Sequence, residues 1–136
     1  AGYLQTMQAR VGDAPGVRWL GALSEERVPE VLAQGNVIVL PYQATTGASS
    51  VLPQACALGL PVVASDLPDW RAAVEEQNLR VEFFQPDDCS HLARVLSALL
   101  LDAARRAEIG RHNVAAIERW NLRDTARLYT QLLVGE

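Results

Sequence analysis

The residues best equipped for chemistry stand close together: Thr46, Gly47, Ala48, Ser49, Ser50 and Val51, with Gln54 one turn further on. Thr46, Ser49 and Ser50 offer hydroxyl donors. Gly47 and Ala48 are small enough for a phosphate to reach the backbone. The apolar stretch that begins at Val51 has the length of a short helix. A helix start presents unpaired N–H groups and a partial positive charge. The combination suits an anion such as a phosphate. The same serines would also serve as plain helix caps, and the residues alone leave both roles open.

Other chemistries are poorly supplied. All 12 basic residues are Arg, which removes a phosphate-binding or Schiff-base lysine. Cys56 and Cys89 lack metal spacing, and two cysteines make no disulfide framework. Cys56, within Ala55–Leu58, reads as a buried thiol. His91 and His112 stand apart without partner ligands, so no metal is expected. Arg71, Asp66 and Asp69 read as surface and turn residues, Arg105, Arg106 and Arg111 as a solvated helix face. Trp19, Trp70 and Trp120 read as packing residues. A net charge of −4 argues against a nucleic-acid partner. No apolar run approaches the roughly 20 residues of a membrane span. Without a signal sequence and with unpaired cysteines, a cytoplasmic setting is expected.

The elements that must position the loop follow from periodicity and punctuation. Tyr3–Arg10 reads as the tail of a helix, broken at Gly12–Gly16. Val17–Leu20 reads as a short strand ended by Gly21. Ser24 suits a helix cap, with Val28, Val31 and Leu32 on one buried face. Val37–Leu40 is a β-branched run suited to a strand buried on both faces. After the loop Pro41–Ser50 comes a helix over about 50–58, closed by Gly59 and Pro61. Strands follow at Pro61–Ala64 and Arg80–Phe84, with a short helix at Trp70–Glu75 between them. Pro86–Asp88 opens a helix to Leu101, Asp102 opens another to Trp120, and Asn121 a last one to about Val134. Alternating strands and helices predict an α/β fold: part of a Rossmann-like, doubly wound parallel sheet over residues 1–86, then an all-helical portion over 87–136. The length of 136 residues fits one domain. In such sheets ligands bind beyond the carboxyl ends of the strands. That draws Ala22 and Leu23 into the candidate site beside the Thr46–Val51 loop and Gln54.

At this loop the chain resembles a known family. Val37–Pro41, Gly47 and Gln54-Ala-Cys-Ala-Leu-Gly-Leu-Pro-Val-Val-Ala-Ser65 are similar to the donor-binding domain of group 1 (family 4) retaining glycosyltransferases. Val17-x-Trp19-Leu20-Gly21, Asp66–Val74, Pro86-Asp87-Asp88 with Leu92-Ala93, and Trp120, Ala126 and Tyr129 agree in order. The resemblance implies the C-terminal domain of the two-domain GT-B architecture. It also implies a hexosyltransferase that moves a sugar from a nucleotide diphosphate donor, with no cofactor besides that substrate. On it, Ala22 and Leu23 would meet the base, the Gly47–Val51 loop the diphosphate, and Gln54 the ribose.

Two departures accompany it. The family commonly carries glutamates at the positions of Thr46 and Gln54. Gln54 still donates to and accepts from a ribose hydroxyl, whereas Thr46 supplies no charge. The alternative is therefore a non-catalytic interaction module that kept the fold and lost its acids. A third reading is another doubly wound nucleotide- or flavin-binding domain. Two strand–helix units that carry an Arg and a Lys for the diphosphate, and the acceptor domain with its catalytic His, are expected upstream. At about 30 residues per unit, the first gap alone is about 60 residues. No residue here is assigned as catalytic, and the fragment alone is expected to be inactive. Its uncovered strand edge would be a template for pairing, so self-association is expected.

Overall fold

The computed structural model describes residues 2–44 and 49–119. The order of elements is α1 (Tyr3–Val11), α2 (Val28–Leu32), β1 (Ile38–Leu40), α3 (Val51–Ala57), β2 (Val62–Ser65), α4 (Pro68–Glu76), β3 (Glu82–Phe84), α5 (Cys89–Leu101) and α6 (Ala103–Arg119). The strands form one parallel sheet in the order β1-β2-β3. Leu40 lies opposite Ala64, and Ser65 opposite Phe84. All three carboxyl ends therefore open on one rim.

β2 explains why helices cover both faces. Its four residues are buried, and successive side chains point to opposite faces. Val62 and Ala64 join Leu40, Leu52, Cys56, Trp70, Leu79 and Ala116 in one cluster. Val63 joins Phe84, Leu99 and Ile109 in the other. The first face is thus covered by α3, α4 and the later half of α6, the second by α5 and the start of α6. This is the doubly wound arrangement expected. Burial pushes the Cys56 thiol up to about 12, so it stays protonated and inert near neutral pH.

Local signals set most boundaries. The Leu60 N–H donates to the Ala55 carbonyl and the Gly59 N–H to the Cys56 carbonyl. With Gly59 at φ +70, this is the Schellman ending that favours glycine at that position. The Asp88 carboxylate accepts from the His91 N–H at 2.7 Å and caps α5. The Asp102 carboxylate accepts from the Arg105 N–H at 2.8 Å and opens α6.

Four expectations fail. Val17–Leu20 joins no ladder, and Val17, Trp19 and Leu20 are 49%, 43% and 50% exposed, so Trp19 is not a packing residue. In the doubly wound order 3-2-1-4-5-6 the third strand lies beside the second, not beside the fourth. If β1, β2 and β3 are strands four to six, the partner of Val17–Leu20 is not among the strands described. Ser24 does not cap a helix: the Arg27 N–H donates to its carbonyl in a preceding turn, and α2 starts at Val28 with Pro29 in its first turn. Arg105 and Arg106 are not merely solvated. Arg105 pairs with Glu82. Arg106 donates to the Leu99 carbonyl at 2.8 Å and to that of Leu100, closing α5. The expected last helix and Trp120 lie outside the described residues.

Candidate functional site

The rim at the strand ends is built by the residues that leave each strand. From β1 come Pro41, Tyr42 and Gln43; from β2 comes Asp66; from β3 come Gln85 to Asp87. Side chains tie these exits together. Gln43 Nε2 donates to Asp87 Oδ1 at 2.9 Å. The Tyr42 ring lies 5.8 Å from Trp70, in the first turn of α4. The Asp66 N–H donates to the Phe84 carbonyl at 2.8 Å, extending the sheet's hydrogen bonding past β2.

Arg71 grips Asp66 through two bonds of 2.7 and 2.9 Å and stacks 4.2 Å from the Phe83 ring centroid. The guanidinium hydrogen bond holds the Asp66 carboxyl below its ordinary value. Such a pair stabilises the fold above the unfolded carboxylate pKa and loses that contribution on acidification. With side chains 57% and 38% exposed, its contribution is small.

The sequence-derived site residues divide into three groups. Thr46, Gly47 and Ala48 lie outside the described residues. Ser49, Ser50, Val51 and Gln54 stand where expected, at and inside the start of α3. Ser49 Oγ accepts from the Val51 N–H at 3.2 Å. Ser50 is the N-cap but makes no side-chain capping bond, and its side chain is exposed. Val51 packs against the core, and Gln54 is half-buried. Ala22 and Leu23 lie in the irregular segment before α2, Ala22 exposed and Leu23 half-buried.

Nothing in residue type or spacing marks Gln43, Tyr42 or Trp70 for the rim. Only the position of Tyr42 and Gln43 just after a strand pointed to them. A cleft of about 550 Å³ opens between α1 and this exit, lined by Arg10, Tyr42 and Gln43 among others. A larger groove of about 930 Å³ runs along the outer side of β3 instead. Its Arg80 and Arg105 are occupied by Glu108 and Glu82. Its position along the strand rather than at its carboxyl end makes the β1 cleft the better candidate. Among the described residues no cluster of His, Cys, Asp and Glu could hold a metal ion, and no helix is long and apolar enough to cross a membrane.

A family model described as "Glycosyl transferases group 1" matches residues 1–102. Among solved structures, sucrose-phosphate synthase from Thermosynechococcus elongatus aligns with a TM-score of 0.78 at 21% identity. The alignment covers 98% of this chain and 34% of that one. The chain therefore spans about a third of that neighbour's length.

Proposed function

The chain belongs to the group 1 glycosyl transferases, and on that premise we propose that it forms the nucleotide-sugar donor-binding part of such an enzyme. The observation that carries the reading is the strand-end rim. α3 begins beside it with Ser50 at its N-cap and with Gln54 within its first turns. In this proposal the residues from Gly47 to Val51 receive the diphosphate, Gln54 the ribose, and Ala22 and Leu23 the base. Donors held in place at the diphosphate stabilise its charge as it leaves, the usual electrostatic contribution to catalysis. The acceptor is bound by a further domain. The unpaired Val17–Leu20 segment favours additional strands supplied by a longer parent chain. The resemblance and the unpaired cysteines favour a cytoplasmic setting.

One observation favours a second reading. Thr46 and Gln54 stand where the resemblance places glutamates, which a non-catalytic module of this fold would tolerate. Gln54 is the point of test. In the full protein that carries this chain, Gln54→Ala is expected to weaken nucleoside diphosphate binding by about 1 kcal/mol, the contribution of one neutral hydrogen bond. Gln54→Glu is expected to restore or tighten binding, because a carboxylate accepts more strongly from ribose hydroxyls. Isothermal titration reads both. Loss of binding in a folded Gln54→Glu protein would remove Gln54 from the ribose site.

A further inference from the structure

Among the described residues, one buried side-chain polar atom lacks a hydrogen-bond partner: Trp70 Nε1. Trp70 is 2% exposed and sits in the core cluster with Leu40, Ala64 and Leu52. Its place is nonetheless at the rim. It lies in the first turn of α4, three residues beyond the Leu67 N-cap, directly after the carboxyl end of β2. Leu67 provides no side-chain cap, and the helix opens on Pro68. Tyr42 links the indole to the cleft, because its ring lies against Trp70 and also lines that space.

A buried indole N–H is normally paired, and leaving it unpaired costs free energy. Phenylalanine would fill much of the same core volume without that cost. An orphaned donor at a ligand rim is instead what a site looks like before its acceptor arrives. We infer that Trp70 is a donor-site residue whose indole N–H bonds an oxygen of the bound nucleotide sugar. Nε1 is covered in the structure, so the acceptor arrives with a rearrangement of that cover. Tyr42 is 42% exposed, which makes its ring the described neighbour most easily displaced.

The inference rests on the donor-site reading above, and its test separates the two. The full protein that carries this chain is labelled with ¹⁵N-tryptophan. It is titrated with uridine, guanosine and adenosine diphosphates, then with their glucose conjugates. The Trp70 indole resonance is assigned by its disappearance in Trp70→Phe and by eliminating Trp19 and Trp120 through their own Phe variants. It is expected to move downfield at saturation. A shift with a diphosphate alone places the acceptor among phosphate or ribose oxygens. A shift only with a conjugate places it on the sugar. Trp70→Phe is expected to bind roughly tenfold more weakly, as for loss of a hydrogen bond to a charged or strongly polar group. Tight binding that leaves the Trp70 resonance in place overturns the inference and spares the donor site. Should Trp70→Phe fail to fold, the resonance in the unaltered protein decides. No binding of any nucleotide overturns both.

Discussion

Gly110→Ala is expected to destabilise the protein by about 2 kcal/mol, the range for overpacking a tight contact, and Gly110→Leu by more. Gly110 lies inside α6, where alanine would ordinarily gain about 1 kcal/mol in helix propensity. Here the sign reverses. A Cβ at this position would sit 2.3 Å from the Gly59 carbonyl oxygen and 3.2 Å from its carbon. Both atoms are backbone, so no side chain can swing away. Gly59 cannot yield easily either, because it holds the left-handed turn that ends α3. The two helices must part, and α3 carries Gln54 midway and Ser50 at its other end. Urea denaturation should give a lower midpoint for Gly110→Ala at unchanged slope. A variant as stable as the unaltered protein would show that α3 and α6 do not approach so closely.

Asn113→Ala is expected to cost about 2–3 kcal/mol, because two hydrogen bonds of a fully buried amide are lost together. The Asn113 amide is fully buried. Its Oδ1 accepts from the Arg80 N–H at 2.8 Å, and its Nδ2 donates to the Arg80 carbonyl at 2.9 Å. It thus stands in for a neighbouring strand just before β3 and pins α6 to the sheet. Asn113→Asp makes the geometry testable by pH. The new carboxylate keeps the acceptor but faces the Arg80 carbonyl with no proton to donate. Burial and that carbonyl both raise its pKa above the unfolded value. Stability is therefore fully present below the unfolded pKa and is lost as pH rises through the folded one. The difference from the unaltered protein should narrow as the pH is lowered toward 5. A gap independent of pH would contradict the paired bonds.

These two positions mark the limit of what the residues alone disclose. Gly59, Asp88 and Asp102 act on their own neighbours in sequence, so their capping and turn roles were legible. The strand expected at Pro61–Ala64 was legible from its apolar run, because a strand covered on both faces is apolar along its length; the ladder runs one residue later, to the buried Ser65. Gly110 and Asn113 act on residues 51 and 33 positions away, and nothing in the pattern of α6 points to those partners. Val17–Leu20 misled in the opposite sense. Its alternation has the look of a strand, yet a ladder also needs a neighbour. The placement of Ser49, Ser50 and Gln54 at and inside a helix start was legible because a loop followed by a helix is a local pattern. The Gln43–Asp87 bond and the orphaned Trp70 donor were not, since both arise only when separate strand exits meet.

In the proposed function, the loop entering α3 receives the diphosphate of a nucleotide sugar. Ser50→Arg tests it most directly, because the new side chain fills the approach to the helix start while leaving the buried face of α3 unchanged. Calorimetric titration of the full protein with nucleoside diphosphates, run beside a thermal melt, is the measurement. Binding by the unaltered protein and none by Ser50→Arg, at an unchanged melting temperature, is the expected result. Equal affinity in the two proteins would contradict it.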